Sequence, residues 1–460
     1  MSVEQTENRK TDRTTAGVVD AVRVVTLGCR LNSFESEIIR DHARSGNSTG
    51  NKNRGRETVV INTCAVTAEA ERQGRQIIRR LRRESPRARI VVTGCAAQLS
   101  PGTYTAMPEV DRVLGNTEKL DPTRFLARDM ETGAPVAVSH ITTVREMAPH
   151  LVSGFEGRSR AFLQVQQGCD RDCTFCIIPA VRGSSRSIPL GRIVAQARIL
   201  AANGYQEFVL TGVDLASYGD DLARGITLGS TVRRLLAQVP EISRLRLSSL
   251  DLARFDEDLL SLIAAEPRMM PHLHLSLQAG DDMILRRMKR RHSRDQALDL
   301  CRVLRRLRPG IVFGADLIAG FPTETAAMFE NTLSFVEECG LTYLHVFPFS
   351  PRPGTAAARM PQLAKSTRKE RAARLREAGK AALNRYLGSL VGSHVAVLVE
   401  RPGWGHSETF APVRLEGEAP TGRIVHARVT GVSAAADDGE LVAKVTSVSS
   451  AETFPGEAAA

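Results

Sequence analysis

The stretch QQGCDRDCTFCIIPAVRG (166–183) places Cys169, Cys173 and Cys176 within eight residues. A cubic 4Fe–4S cluster takes one thiolate per iron, so three cysteines hold three irons and leave the fourth iron open. An open iron can chelate a small ligand, much as a catalytic zinc ion keeps one position free. Zinc is the alternative metal, but C-x2-C zinc sites usually bring a second cysteine pair, and no further cysteine follows nearby. The spacing C-x3-C-x2-C therefore favours an iron–sulfur cube with one free corner.

The bulk composition is typical of a soluble globular protein. The chain has 460 residues, of which 42% are hydrophobic, and this length allows several domains and at least one large core. No apolar run approaches the roughly 20 residues of a membrane helix, and the polar N-terminus lacks the apolar segment of a secretory signal. We therefore expect a cytoplasmic protein without a membrane partner. In that reducing compartment, clustered cysteines serve in metal binding or catalysis rather than in disulfides.

The charge is strongly basic, with a formal net charge of +11 and a pI near 9.6. Lys and Arg gather in four clumps, and each clump alone is explained equally well as a solvated helix face. Four clumps on a basic chain favour a polyanionic partner. The clumps are RQIIRRLRR (75–83), RRMKRRH (286–292), RVLRRLR (302–308) and TRKERAARLR (367–376).

Three segments near the N-terminus share one design. The runs VRVVTLGC, TVVINTC and RIVVTGC are short β-branched strands that end at Cys29, Cys64 and Cys95. Helix-like stretches follow the first two, and such alternation predicts a parallel sheet with helical crossovers. Because the carboxyl ends of parallel strands share one edge, the three cysteines can converge on a second metal site. The alternative is that each is a small buried residue, which is the interpretation we give to Cys301 and Cys339 in their helical contexts.

The loop CDRDCTFC resembles the cluster-binding loop of radical S-adenosylmethionine (radical SAM) enzymes, with Phe175 directly before the third cysteine. In that superfamily the open iron binds SAM. Six strand-like segments alternate with helices and predict a partial (β/α)6 barrel with its active-site groups at the strand ends. The segments are 161–168, 207–214, 244–251, 272–280, 312–322 and 344–351.

Polar or small residues at these strand ends form a candidate pocket for SAM and substrate. Each alone is as consistent with a turn as with a ligand contact. Those predicted to bind the cofactor, together with Phe175, are Thr211, Gly212, Ser248, Ser249, Gln278, Ile318 and Gly320. Further strand-end candidates are Asp214, Ser350 and Arg352.

The C-terminal pattern changes to short alternating strands with Gly or polar turns, which predicts a small OB-like β-barrel. Such barrels often bind nucleic acid, and a structural cap is the alternative. The fold class is thus α/β with a parallel N-terminal domain, a central barrel and a C-terminal β-barrel. The predicted boundaries are a disordered leader (1–19), an N-terminal domain (20–127), a linker (128–154), the barrel (155–386), the small β-barrel (387–450) and a disordered tail (451–460), with a flexible loop of unassigned role at 41–57.

Together these parts resemble the methylthiotransferases, which join a three-cysteine domain, a radical SAM barrel and a TRAM domain. The resemblance covers about residues 20–450. Phrases such as TLGCRLNSFESE, VVTGCAAQ, HLHLSLQAGDD, FGADLIAGFPTET and FPFSPRPGTAAARMPQ are most similar to the branch that modifies N6-threonylcarbamoyladenosine (t6A) at position 37 of tRNA. Sister branches act on isopentenyladenosine at that position or on a ribosomal protein aspartate, and they share the cysteines.

The resemblance implies a mechanism with two 4Fe–4S clusters and SAM. Cys169, Cys173 and Cys176 would hold the cluster that cleaves SAM to a 5′-deoxyadenosyl radical. The three N-terminal cysteines would hold a second cluster that delivers the methylthio sulfur. The radical route is needed because the C2–H of adenine is neither acidic nor a leaving group. Partners would be the anticodon arm of tRNA, an electron donor and a sulfur donor. The non-enzymatic alternative is an iron–sulfur or zinc module that only binds RNA.

Overall fold

The computed structural model describes residues 22–47, 57–125, 135–144, 151–252, 254–433 and 439–448. The predicted leader and tail, and most of the loop 41–57, lie outside these residues. The described residues form a parallel α/β sheet, a partial barrel of parallel strands and a small closed β-barrel, so the predicted fold class is confirmed. None of the helices in the described ranges is both long enough and apolar enough to cross a bilayer.

The N-terminal unit is a parallel sheet whose described strands lie in the order 1-2-3-4-5. Its strands are β1 (Val22–Thr26), β2 (Thr58–Thr63), β3 (Arg89–Gly94), β4 (Arg112–Leu114) and β5 (Val136–Ala137). Its helices are α1 (Arg30–Asn47), α2 (Ala68–Glu84), α3 (Cys95–Leu99), α4 (Pro101–Thr105) and α5 (Pro122–Phe125). Every residue of β2 is buried, because helices and loops cover both faces of a central parallel strand.

Two features of this sheet differ from the pattern in the sequence. β4 and β5 extend the sheet beyond the three predicted steps, and they are too short to show a strand period. β5 lies inside the stretch 128–154 that we interpreted as a linker, and it pairs with β4 through Val113 and Val136. α2 spans the predicted helical stretch, and Thr67 caps it by accepting a hydrogen bond from the Ala70 amide.

The central unit is a row of six parallel strands in the described residues. They are β6 (Arg160–Gln164), β9 (Glu207–Thr211), β10 (Arg244–Leu247), β11 (His272–Gln278), β12 (Val312–Ala319) and β13 (Leu341–Pro348). The row consists of two three-stranded sheets, which parallel bridges between Leu245 and Met269 and between Leu250 and Leu275 join. The short strands β7 (Gln166–Gln167) and β8 (Arg186–Ser187) pair next to the end of β6.

Helices connect the strands of this row, and most of them cover its outside. They are α6 (Ile178–Arg182), α7 (Leu190–Ala202), α8 (Leu228–Gln238), α9 (Glu257–Ala265), α10 (Asp282–Arg287), α11 (Arg294–Leu307) and α12 (Ala326–Glu338). Strand alternation decides which side chains face them. On β11, Leu273 and Leu275 belong to the same buried cluster as Leu298 and Leu304 of α11, so His272, His274 and Ser276 face the lumen.

The core prediction for two cysteines is confirmed. Cys301 on α11 and Cys339 at the end of α12 are fully buried and belong to the main apolar cluster. Small polarizable thiols fill such gaps well, and neither lies near the strand-end edge.

The C-terminal unit is a closed barrel in which the described strands follow the order 14-15-16-18-17. Its elements are the connecting helix α13 (Lys365–Ser389) and the strands β14 (His394–Arg401), β15 (Trp404–Ser407), β16 (Pro412–Glu416), β17 (Ile424–Ser433) and β18 (Glu440–Val448). Val397, Val413 and Val425 are among the fully buried residues of its core.

This small barrel closes the lower end of the central barrel through the turn 407–410. The ring of Phe410 stacks on His272 with 5.2 Å between centroids, and the backbone φ of Phe410 is +69°. The Tyr343 hydroxyl donates to the carbonyl of Thr409 (3.1 Å), and Arg246 donates to the carbonyl of Ser407 (2.8 Å). The turn therefore forms the floor of the lumen. This contact agrees with the alternative of a structural cap, and nucleic-acid binding by the unit remains a prediction.

Candidate iron–sulfur and substrate site

The local cysteine trio, Cys169, Cys173 and Cys176, lies in the loop between β7 and β8. The amide of Cys176 donates to the carbonyl of Cys173 (3.0 Å), which curls the loop around a common centre. Gly168 precedes the loop with φ +76°, and an added Cβ would lie 1.9 Å from the carbonyl oxygen of Ser184. Only glycine fits this close approach of backbones, so the residue before the first cysteine shapes the loop.

The environment of this trio disfavours bare thiolates. Burial raises the pKa of Cys169 to about 12 and that of Cys176 to about 11. Two donors nevertheless point at the sulfur atoms: the amide of Arg171 at Cys169 (3.4 Å) and the guanidinium of Arg290 at Cys173 (3.6 Å). Without a metal these thiols would stay protonated, yet hydrogen-bond donors for anionic sulfur surround them. This combination fits a site in which a bound metal stabilises the thiolates.

The distant cysteine trio, Cys29, Cys64 and Cys95, gathers at the carboxyl edge of the N-terminal sheet. Each residue follows one of the strands β1, β2 and β3, as the repeated pattern predicted. Gly28 has φ +101°, and an added Cβ would lie 3.0 Å from the Cys64 sulfur. Burial, followed by the nearby thiols of Cys95 and Cys29, raises the pKa of Cys64 to about 12. Desolvation by the surrounding protein also raises the pKa of Cys29, although part of the Cys29 residue is accessible to solvent.

A buried charge network supports the distant trio, and the sequence pattern did not predict it. Arg182, from α6, donates to the sulfur of Cys95 (3.2 Å) and forms a two-point ion pair with Glu35. Lys119 donates to the same carboxylate (2.6 Å) and to the amide oxygen of Asn116 (2.7 Å). Desolvation opposes ionisation of Glu35, but the two cations outweigh it and hold its pKa below the usual range. The side chains of Arg182, Lys119 and Glu35 are 0–1% exposed.

The network also joins the two trios. α6 begins two residues after Cys176. Its residue Val181 and the preceding Ile177 pack in the apolar core of the N-terminal unit. The side-chain amide of Asn116 donates to the Val181 carbonyl (2.7 Å). The segment that leaves the local loop thus becomes part of the distant site. The only sequence signal for it was the arginine in PAVRG, directly downstream of the cysteines.

The spacing of the sulfurs distinguishes a cube from a single zinc ion. Within the described residues, neither trio has all three sulfur atoms within 4.8 Å of one another. Around one zinc ion with bonds of about 2.3 Å, tetrahedral geometry would bring the sulfurs to about 3.8 Å apart. A cube spreads its thiolates over separate irons. Each trio, with three thiols and no fourth cysteine close by in the sequence, therefore fits a 4Fe–4S cluster with one open iron.

Several predicted strand-end residues lie around the mouth of the barrel. Ser248 accepts from the amide of Gly212 (3.4 Å), which links the ends of β9 and β10. Ser249 is partly exposed beside it, and Gln278 ends β11 with φ +71°. Thr211 is buried and donates to the carbonyl of Val209 within its own strand (3.0 Å), so it stabilises the strand end. The cofactor contacts predicted for these residues remain predictions.

The remaining predicted residues divide into two groups. Phe175 packs against a small apolar cluster that includes Ile318. Gly320 has φ +72°, and its amide donates to the carboxylate of Glu324 (2.9 Å). These residues lie at the ends of β12 and the cysteine loop, where a ligand could contact them. Asp214 pairs with Arg171 (2.8 Å), and Asp214 lies 3.9 Å from the sulfur of Cys169.

Ser350 and Arg352 have another role in the structure. The Ser350 hydroxyl accepts from the amide of Ala68 (3.1 Å), and Arg352 forms an ion pair with Glu71. Both contacts fix the end of β13 to the first turn of α2. These two strand-end residues therefore hold the N-terminal unit on the barrel mouth, and contacts between them and a ligand remain a prediction.

Comparisons with known proteins agree with this architecture. The Radical SAM superfamily model matches residues 163–336, and the model described as Uncharacterized protein family UPF0004 matches residues 21–115. The radical SAM methyltransferase TsrM from Kitasatospora setae has a similar fold, with a TM-score of 0.51 and 15% identity over 72% of this chain and 74% of that one. The fold and the first cysteine loop therefore define a radical SAM protein.

Two sequence relatives make the class more specific. The threonylcarbamoyladenosine tRNA methylthiotransferase MtaB of Rickettsia prowazekii is 50% identical over 89% of this chain and 94% of the relative. The protein of the same name from Aquifex aeolicus is 36% identical over 87% of this chain and 98% of the relative. The chain therefore belongs to the radical SAM methylthiotransferases, in the MtaB-type branch, and the predicted family is confirmed.

Proposed function

We propose that this protein is the enzyme that adds a methylthio group to C2 of t6A at position 37 of tRNA. The observation that carries the proposal is the pair of incomplete thiolate trios joined through α6, in a chain whose relatives carry that activity in their names. A binding module without turnover would have no use for two sites that each leave a metal corner free.

The residues around the two sites have separable roles. When bound, the two clusters supply the electron that cleaves SAM and the sulfur that is transferred. Arg290 donates to Cys173 and also to the carbonyl of Ser276 (2.6 Å), so it fixes the loop over the lumen. Arg182 stabilises anionic sulfur at Cys95. The floor at Phe410 closes the far end of the lumen, which excludes water from that side.

Basic residues lie where a folded RNA could contact the mouth and the small barrel. Lys289 in the clump 286–292 is exposed and pairs with Asp172 inside the cysteine loop (2.6 Å). On the outer face of the small barrel, exposed Arg428 and Lys444 lie directly opposite each other on neighbouring strands. Glu416 on β16 lies opposite Lys444 on its other side and offsets part of this charge, so it is the exposed position of the two cations that favours an anionic ligand.

This RNA contact is tested by charge reversal rather than by removal of 388–460, since deletion would open the floor of the lumen. Arg428→Glu combined with Lys444→Glu should weaken tRNA binding at least about tenfold and reduce its salt dependence. Arg192→Glu, an exposed site on α7, is the control and should change affinity far less. Equal affinity of the double variant and wild type would assign the pair no part in RNA binding.

The reaction also requires partners outside the chain. We infer a protein or small-molecule electron donor for cluster reduction and a separate sulfur donor, both in the cytoplasm, where the tRNA substrate is made. The exposed surface of Cys29 gives the distant site an opening through which sulfur could arrive. Anaerobic assays with a chemical reductant and sulfide would bypass both partners.

The activity itself is tested by mass analysis of tRNA nucleosides from cells that lack the gene. We expect 2-methylthio-t6A to disappear, unmodified t6A to accumulate, and a plasmid copy of the wild-type gene to reverse both changes. A copy carrying Cys64→Ala is the control and should not restore the product. Persistence of 2-methylthio-t6A together with loss of a methylthio-isopentenyladenosine would assign the protein to the sister chemistry.

A further inference from the structure

The lumen of the central barrel holds a polar cluster that the cysteine sites leave unexplained. We call His274, Asp316 and His345 the lumen triad; they lie on the neighbouring strands β11, β12 and β13. One carboxylate oxygen of Asp316 lies 3.0 Å from Nε2 of His274 and 3.3 Å from Nδ1 of His345. The two imidazole rings are 4.4 Å apart between centroids.

The lumen triad lies between the floor and the cysteine loop. His272, two residues before His274 on the same face of β11, stacks on Phe410 of the floor. Ser276, two residues after His274, accepts a hydrogen bond from Arg290, which also contacts Cys173. Two residues of a strand span about 7 Å. His274 therefore lies about 7 Å along β11 from Ser276, the residue that anchors the cysteine loop through Arg290. A substrate that enters under the loop reaches this level next.

The hydrogen bonds inside the triad leave two acceptors free. Nδ1–H of His345 donates to Asp316, so Nε2 of a neutral His345 carries a lone pair. The second carboxylate oxygen of Asp316 and this Nε2 have no partner among the described residues. Desolvation opposes ionisation of Asp316, but His274 and His345 hold its pKa below the usual range. The exposed fraction of the side chain is 44% for His345, 21% for Asp316 and 8% for His274. His274 is therefore the most buried member of the triad.

We propose, on the basis of the proposed function, that the lumen triad binds the threonylcarbamoyl group of the target nucleotide and thereby sets the specificity of the enzyme. That group carries a hydroxyl and a ureido N–H, which are donors for the two free acceptors, and its carboxylate must then point away from the ionised Asp316. Adenine C2 and C6, the carbon that carries N6, flank the ring nitrogen N1, so the substituent lies on the edge of the base that reacts. An isopentenyl group has no donor, and it would cover both acceptors and leave them unpaired, which lets a pocket discriminate against it.

A metal ion is the alternative occupant, since two imidazoles and a carboxylate form a ligand set that suits zinc or iron. In metal sites each ligating imidazole usually donates its second N–H to an acceptor. In the part of the chain that the structure describes, neither His274 nor His345 has such an outer partner, and an added Cβ on Gly314 would lie 2.5 Å from Nδ1 of His274. Both inner nitrogens instead share one carboxylate oxygen. The hydrogen-bonding role is therefore favoured.

The test uses cluster-loaded enzyme and two forms of one tRNA, with t6A or with unmodified adenosine at position 37. His345→Phe should lower kcat/KM for the t6A form at least tenfold and leave the low rate on unmodified adenosine unchanged. His345→Gln, which keeps a hydrogen-bonding atom, should recover most of the lost selectivity. Formation of 5′-deoxyadenosine without tRNA should stay at the wild-type rate in both variants. His140→Phe, at an exposed position, controls for the added ring.

Three results would overturn the proposal, and they are distinguishable. If the wild type is active and His345→Phe keeps the same ratio of kcat/KM for the two tRNAs, the triad does not recognise the threonylcarbamoyl group. A metal site is identified instead if this variant loses a bound divalent metal other than the cluster iron and loses rate equally on both tRNAs. Absence of methylthio product from wild type on the t6A form defeats the proposed function itself, and the specificity proposal with it.

Discussion

The two cysteine trios achieve the same ligand set by opposite routes. The local trio, Cys169 to Cys176, is contained in one loop, and its geometry follows from the backbone of eight residues. The distant trio is assembled from three strand ends, and it depends on the register of the whole N-terminal sheet. A local site can bind metal before its domain is complete, whereas a distant site exists only in the folded sheet.

This difference agrees with the depth of the charged groups at the two sites. The ion pairs beside the local trio, Arg171–Asp214 and Arg290–Asp251, keep side-chain exposures of 7–10%, whereas the network at the distant trio is 0–1% exposed. Side chains from separate strands have no shared loop to orient them, so Arg182, Glu35 and Lys119 provide charge and position instead. Buried ion pairs contribute little to net stability, but removal of one partner is costly. The network therefore makes the distant site sensitive to single substitutions far from the cysteines.

The largest expected effect separates the two trios by chemistry. Cys173→Ala should abolish 5′-deoxyadenosine formation from SAM, because the cluster then lacks one of its three thiolates. Cys64→Ala should keep this cleavage and abolish thiomethylation of tRNA. Anaerobic incubation with SAM, a reductant and tRNA, followed by mass analysis of both products, measures the two activities.

Iron content provides the control for this pair. Wild-type protein should hold about eight irons, and each variant about four, since one cube remains in each. The comparison fails if Cys64→Ala retains thiomethylation, or if iron is near four in wild type and does not change in Cys64→Ala.

The fold was largely predictable, because the signals are periodic. Alternating β-branched runs gave the three N-terminal strands and the six barrel strands, and α2 spans its predicted stretch. The pattern missed β4 and β5, since strands of two or three residues carry no period. It also missed the floor at Phe410, since a turn that docks on another domain has no local signature.

The candidate site was predictable to the extent that its residues have distinctive chemistry. Cysteine is rare enough for its spacing to carry information, so both trios were found. Arg182 and Lys119 were not, because the chain is rich in such residues and burial is decided by tertiary packing. Arg352 was placed in the pocket because it follows a strand, whereas it pairs with Glu71 of another domain.

A second effect, smaller than loss of catalysis, tests the dependence on the network. Arg182→Ala should remove the distant cluster and leave the local one, although Arg182 is only six residues from Cys176. The substitution removes one cation of a buried ion-pair network, which typically costs about 3–5 kcal/mol. Iron should fall to about four, with SAM cleavage retained and thiomethylation lost.

Arg192→Ala, an exposed arginine on α7, is the matched control for this substitution and should keep about eight irons. If Arg182→Ala also kept both clusters and full activity, the distant trio would bind its cluster without help from the charge network. The contrast between the two sites would then concern their sequence spacing alone.

The smallest effect compares two glutamates on α1, the helix that follows Cys29. Glu35 has two cationic partners, whereas Glu37 pairs with Arg40 through one oxygen. Its buried Oε2 has no hydrogen bond from any residue that the structure describes. Desolvation, which outweighs the attraction of Arg40, raises the pKa of Glu37 from 4.5 to about 7. A carboxyl group with a raised folded pKa binds its proton more tightly in the folded state than in the unfolded state. The domain should therefore lose stability as pH rises from about 4.5 to about 7.

Glu37→Gln removes the cost of ionising this buried carboxyl group. It tests whether ionisation of Glu37 limits the stability of α1, the helix that follows Cys29. At pH 8 the variant should be more stable than wild type by at most about 3 kcal/mol, and near pH 5 the two should be almost equal. The difference between their thermal unfolding midpoints, followed anaerobically from pH 5 to 8.5, isolates this group from others that titrate in both proteins. Glu35→Gln is the opposite control, since it breaks an ion pair with Arg182 and Lys119 and should destabilise at pH 8. A pH-independent gain in Glu37→Gln would mean that packing, rather than ionisation, limits this part of α1.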